Sequence, residues 1–209
     1  MRSVRALATG AALAGLALTL PACTAADESP AAGPTSAAAT SAATAVPSAT
    51  EGSAPPDEEA NAKILAGERK TLIHIAEDDK DWSATYEGPI AIGDGTDDGA
   101  LFRIVPAAGD QYLIEALRAR EEGGRWCLQA DADDEPVSLG TVKCAENETT
   151  LFSITPTGQA DDKGRPTHRI THQRYGTVQV KNDGSALYIQ EVGDGGSRGS
   201  YSFVDRGAV

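Results

Sequence analysis

The side chains able to do chemistry are few and scattered. Three histidines, His74, His168 and His172, are the natural candidates for metal ligation or proton transfer. His168 and His172 are four apart, a spacing that shares one face of a helix. The residues around them alternate as a strand does, so they share a sheet face instead. No acid stands at a spacing that would complete a zinc site with any of the three. Gly195-Gly196-Ser197-Arg198-Gly199 has the form G-x-S-x-G, which presents a nucleophilic serine only where a strand precedes it and a helix follows. Here a strand is expected to follow, so the run reads as a glycine-rich loop. Neither of the acidic stretches Asp94 to Asp98 and Asp131 to Glu135 has the full spacing of a calcium loop, with its Gly and distal Glu, and both read as solvated loops. No phosphate-binding loop, basic-aromatic stripe or paired catalytic carboxylates stand out. These residues point to no enzyme, no metal and no cofactor.

Three segments must carry whatever the chain does. Met1 to Arg5 holds two arginines and no acid, and Ala6 to Leu20 is apolar or small throughout. Those 15 residues are too short to span a bilayer as a helix, which takes about 20. A basic start, a short apolar run and a small residue before a cut describe a signal peptide, 1–22. Leu20-Pro21-Ala22-Cys23 resembles the lipobox of bacterial lipoproteins, with Leu three before the Cys and a small residue just before it. Pro21 departs from the usual small or hydroxyl residue. The resemblance implies cleavage before Cys23 and a diacylglycerol on its sulfur. A mature chain so lipidated is exported and held at the outer face of the cell membrane by two or more acyl chains.

Residues 23–66 read as a disordered linker. From Thr24 to Pro56 there are 12 Ala, 5 Ser, 5 Thr and 5 Pro, and only Val46 is a sizeable apolar residue. Such a stretch cannot bury enough surface to offset its ordering entropy. As a coil it spans about 30 Å end to end. Residues 57–67 (DEEANAKILAG), with acids first and Gly67 last, have the marks of a short helical turn leading into the fold.

Residues 67–209 have an ordinary single-domain length. They carry 15 Lys and Arg against 25 Asp and Glu, a net charge near −10. That argues against nucleic acid, which calls for a basic footprint, and against direct adhesion to anionic lipid. Short alternating runs bounded by Gly, Asp, Asn and Pro recur, which is the strand signal. They also repeat. Leu101-Phe102-Arg103-Ile104-Val105-Pro106 returns 50 residues later as Leu151-Phe152-Ser153-Ile154-Thr155-Pro156, and Tyr201-Ser202-Phe203-Val204 is a third copy. Strands are predicted near 71–76, 82–86, 89–92 and 100–105, then near 112–118, 125–129, 137–142 and 150–155, then near 168–173, 176–181, 186–191 and 200–205. Twelve strands in three units suggest a closed arrangement that hides its edges.

Cys127-Leu128, an acidic loop, Val137, Cys144 and Phe152-Ser153-Ile154 are similar to one repeat of the ricin-type β-trefoil. The spacing from Cys144 places Phe152 at that family's Trp position, with Phe102 and Tyr201 equivalent in the other repeats. The resemblance covers about residues 70–206. It implies an all-β fold, a β-trefoil of three four-stranded repeats: a six-stranded barrel capped by three hairpins. It also implies an intra-repeat disulfide between Cys127 and Cys144, the pair left once Cys23 is given to lipid. Closing such a loop stabilises by about 3 kcal/mol.

In ricin-type lectins an Asp after Cys-Leu, an aromatic platform and polar groups near Gln-x-Trp hold a sugar. Here Gln129 and Gln179 stand in place of that Asp, and Ala100, Thr150 and Gly199 replace the Gln of Gln-x-Trp. Repeat three keeps the fullest set: Gln179, Asn182, Asp183, Tyr188 and Gln190. Tyr188 would stack on a sugar while the amides and the carboxylate read hydroxyls. Asn182-Asp183-Gly184 also reads as a plain hairpin turn with Tyr188 packed beside it. The expectation is a binding module rather than an enzyme, with a glycan or cell-wall polysaccharide as ligand by family analogy. An envelope protein bound by the trefoil loops is the alternative.

Overall fold

The computed structural model describes residues 56–191 and 198–209. The signal segment, Cys23 and the linker up to residue 55 lie outside the described residues, as does Ser197 of the G-x-S-x-G run. One helix, α1 (Pro56–Leu65), precedes β1 (Arg69–Ile75), β2 (Lys80–Ala84), β3 (Ile90–Gly93), β4 (Phe102–Pro106), β5 (Tyr112–Ala116) and β6 (Trp126–Asp131). Then come β7 (Ser138–Lys143), β8 (Phe152–Ala160), β9 (Pro166–His172), β10 (Gly176–Val180), β11 (Leu187–Gln190) and β12 (Tyr201–Ala208). Among the described residues the predicted strands are all present, β8 and β12 running several residues further than expected.

Antiparallel pairing closes a ring through β1, β4, β5, β8, β9, β12 and back to β1. The other strands pair as three hairpins, β2–β3, β6–β7 and β10–β11. This is the β-trefoil. Its closure leaves no open barrel edge to recruit a stray strand.

The threefold repeat is written in the barrel's register. Phe203 pairs with Ile73, Ile104 with Ile114 and Ile154 with Ile170, one layer of the core. The next layer pairs Tyr201 with Ile75, Phe102 with Ala116 and Phe152 with His172. Phe102, Phe152 and Tyr201 are wholly buried. Trp82 sets its ring edge-to-face against Tyr201 at 5.0 Å and Phe102 at 6.4 Å, contacts worth about 0.5–1.5 kcal/mol each beyond their buried area. The hairpins seat on the barrel by equivalent backbone bonds: the N–H groups of Ala84, Ala130 and Val180 donate to the carbonyls of Gly99, Thr149 and Arg198.

The folded chain starts upstream of residue 67. Asp57, Glu58 and Glu59 in the first turn of α1 and Lys63 in its last complement the helix dipole. The helix ends where Gly67 turns left-handed at φ 77°, with the Glu68 N–H donating to the Lys63 carbonyl at 3.0 Å. A Cβ at Gly67 would stand 2.9 Å from the Ile104 carbonyl, so no other residue fits. Ile64 is wholly buried in the core, and the Asn61 amide lies 3.4 Å from His168 Nε2. What composition marks as the last part of a linker is therefore a helix lying across the barrel strands where β1 begins. Its burial of Ile64 outweighs a polar composition. Among the described residues no helix is long and apolar enough to cross a membrane.

Candidate functional site

On β10 and β11 the alternation is strict. Val178, Val180, Leu187 and Ile189 face the core. The cross-strand pairs Gln179–Tyr188 and Thr177–Gln190 take the other face. Tyr188 Oη donates to Gln179 Oε1 at 3.2 Å, so the buried amide and the half-buried phenol fix each other's orientation. Gln190, one pair along, is exposed. Three of the five residues singled out in repeat three thus share one surface: an aromatic ring flanked by amides. That is the equipment to stack on the apolar face of a ring and to hydrogen-bond its hydroxyls.

Asn182 and Asp183 stand apart at the hairpin tip, past the Val180–Leu187 pair. There Gly184 takes φ 70° and its N–H donates to the Lys181 carbonyl at 2.7 Å. The Asp183 carboxylate accepts from the Ser185 N–H at 3.0 Å. Hydrogen bonding to Ser185 holds its carboxyl below the usual range. Asp183 holds the turn, as the plainer reading of Asn-Asp-Gly expects. The Asn182 carbonyl accepts from the Arg198 guanidinium.

A cleft of about 230 Å³ opens beside Tyr188, lined by Lys181, by Asp134 and Glu135 from the β6–β7 loop, and by Ser138 at the start of β7. The loop is carried there because the Ile189 N–H donates to the Val137 carbonyl at 2.8 Å, linking neighbouring hairpins. Lys181, Asp134 and Glu135 were not expected at the site. Nothing local marks them, because the link between repeats two and three is made only by the fold.

The other repeats lack the platform. Gln129 pairs with Gly140 and Ser83 with Ala91, and Ser83 Oγ donates to Asp97 at 2.7 Å. Ala100 and Thr150 are wholly buried, and Thr150 donates to the Ala145 carbonyl at 2.6 Å. Gly199 lies against Gln179. That position offers no ligand in any repeat. Repeat two instead carries the disulfide: Cys127 and Cys144 are joined, their Cα atoms 4.8 Å apart. The acids of 94–98 are also engaged, with Tyr86 donating to Asp98 at 2.6 Å and Arg118 bridging Asp97 and Asp98.

The paired histidines are structural. His172 Nε2 donates to the Glu148 carbonyl at 2.7 Å, and Nδ1 accepts from the N–H groups of Arg174 and Tyr175. His168 stacks on Phe203, centroids 5.0 Å apart. Burial pushes both imidazoles below their usual pKa, so both are kept neutral. A larger cleft, about 510 Å³, lies beside His172 between Asn147, Glu148, Leu151 and Arg174. No sequence signal pointed to it.

No protein-family model matches this sequence, and no curated protein sequence matches it. Solved structures do match. The designed threefold-symmetric protein ThreeFoil aligns with 66% of this chain and 99% of its own, at 11% identity and a TM-score of 0.53. The BEL β-trefoil aligns with 66% of this chain and 93% of its own, at 13% identity and a TM-score of 0.50. A GlcNAcα1-4Gal releasing endo-β-galactosidase from Clostridium perfringens aligns over 66% of this chain and 32% of its own, at 13% identity and a TM-score of 0.50. At these identities the likeness is one of fold.

Proposed function

We propose that this chain is a glycan-binding module of the bacterial envelope, tethered at the outer face of the membrane by lipid on Cys23. The observation that supports glycan binding is the Tyr188–Gln179 pair. It places an aromatic ring and an oriented amide on the outer face of one hairpin, with Gln190 beside them. One of the matched structures is a GlcNAcα1-4Gal releasing endo-β-galactosidase, so this fold does occur in a protein acting on carbohydrate. Gln in place of a carboxylate makes the weaker, neutral hydrogen bond, which fits a low-affinity site. No catalytic role is assigned to it. The lipid anchor is supported by the lipobox-like Leu20 to Cys23 and by the even pairing of the remaining cysteines.

Retention of the protein on immobilised cell-wall polysaccharide tests the ligand. Wild type should be retarded, and Tyr188→Ala combined with Gln179→Ala should elute in the void. Failure of the wild type to bind any polysaccharide tested rejects the glycan reading. It would favour an envelope protein seated on the larger cleft at Glu148 and Arg174. Mass spectrometry of the mature N-terminus tests the anchor: an unmodified Cys23, or cleavage elsewhere, rejects it.

A further inference from the structure

The cleft beside Tyr188 carries charge that the fold leaves unanswered. Elsewhere acids are met by cations: Glu115 by Arg125, Asp161 by Arg165, Asp205 by Arg69. Asp134 and Glu135 line the cleft and are both exposed. Among the described residues neither forms an ion pair, even with Lys181, which shares the cleft. Asp134 accepts from the Ser138 hydroxyl on one oxygen, at 2.5 Å, and keeps the other open. Glu135 accepts no hydrogen bond among the described residues. The bond from the Ile189 N–H to the carbonyl of Val137, two residues on, holds the pair beside the ring.

Gln179, bonded to the same ring, is incomplete in the opposite sense. The residue is 8% exposed. Its Oε1 accepts from the Tyr188 hydroxyl, but its amide nitrogen donates to nothing among the described residues. A nine-tenths-buried amide with idle donors is completed by an acceptor brought in from outside, water or a ligand oxygen. Tyr188 therefore stands between a pair of open acceptors and an open donor. Pro136, Ala186 and Leu187 supply the apolar part of the cleft lining.

We propose that the sugar seated on Tyr188 carries a free amine: a hexosamine unit without its acetyl group. This rests on the glycan reading and names the class of glycan. The sugar ring stacks on Tyr188, its ammonium meets Asp134 and Glu135, and the Gln179 amide donates to one of its oxygens. Two carboxylates against Lys181 leave the cleft net negative, in a domain already near −10. An acidic polysaccharide is repelled there. An acetylated amine is neutral and gains nothing from the carboxylates. An ammonium gives them charge-assisted hydrogen bonds. Lys181 opposes the amine and limits the gain.

The test is isothermal titration of the full-length protein with a β-1,4-linked glucosamine trisaccharide and, separately, with its fully N-acetylated form. It is run at about pH 6, where the sugar amine is charged, and about 0.1 M salt. The free amine should bind about fivefold more tightly, the worth of an exposed ion pair. Asp134→Asn with Glu135→Gln should remove that preference and leave the acetylated sugar bound as before. Lys181→Gln should widen it. Glu121→Gln with Glu122→Gln removes the same charge from the β5–β6 loop and should leave it unchanged. Equal affinity for the two sugars, both lost in Tyr188→Ala, overturns the amine and leaves the glycan reading standing. So does binding of neither trisaccharide by a protein still retained on polysaccharide. A preference that survives the change at Asp134 and Glu135, or falls as far with Glu121 and Glu122, overturns the proposal by making the attraction diffuse. Binding of neither sugar and no retention on polysaccharide overturns both.

Discussion

The hairpins of repeats two and three differ in what they place at matching positions. Both carry a glutamine on the outer face, Gln129 and Gln179. Across from it stands Gly140 in one and Tyr188 in the other. Repeat two spends the hairpin on a covalent cross-link, Cys127–Cys144. Repeat three has no cross-link and offers an aromatic ring with an amide bonded to it. The barrel strands beneath both follow one pattern, Ile154 on Ile170 and Ile104 on Ile114. Close packing holds the barrel positions to one solution, while the outer face of a hairpin can change without disturbing it. On the proposed function, repeat two serves stability and repeat three recognition, and these roles should separate on mutation.

The largest effect should come from the barrel the repeats share. Phe152→Ala removes a wholly buried ring and should cost about 3–5 kcal/mol by denaturant unfolding. Because this layer lies beneath all three hairpins, ligand retention should fall with it. Next, replacing Cys127 and Cys144 together by Ser should cost about 3 kcal/mol, yet leave retention on polysaccharide intact at a temperature where the fold persists. Loss of retention there would break the division of roles.

The repeats also differ in how they meet acid. His172 occupies the place held by Ala116 and Ile75 at the other two positions of the same layer of the pseudo-threefold. Burial lowers its pKa, so the unfolded chain binds a proton more readily than the folded one. Stability is therefore full above the ordinary histidine value of about 6.5 and falls as pH drops through it. His168 acts in the same direction. His172→Ala should flatten the decline between about pH 7 and pH 5, a loss measured by unfolding at each pH. An unchanged slope would mean that His172 titrates as in the unfolded chain. The smallest stability effect belongs to Tyr188→Ala: under about 1 kcal/mol, since the ring is half-buried, with retention lost all the same.

The barrel was legible in the sequence because it is periodic in two senses. Alternating Phe102 and Ile104, or Phe152 and Ile154, mark strands, and their return after 50 residues marks repeats. Helix α1 was half-visible: its acids and Gly67 signal a helix, but Ile64 and Leu65 meet the core side by side, too little for a periodic face. The Tyr188 face was legible because Gln179 and Tyr188 belong to one hairpin, where sequence distance sets pairing. Lys181 and Asp134 were not linked to it, because the Val137–Ile189 bridge joins two hairpins.

The most direct measurement is amide and side-chain NMR of the isotopically labelled protein during titration with solubilised cell-wall polysaccharide. The outer face of β10–β11 should respond, with the resonances of Gln179, Tyr188 and Gln190 shifting together and saturably while those of Gln129 and Gly140 stay fixed. Shifts confined to Asn147, Glu148 and Arg174, or none at all, would contradict the assignment of recognition to repeat three.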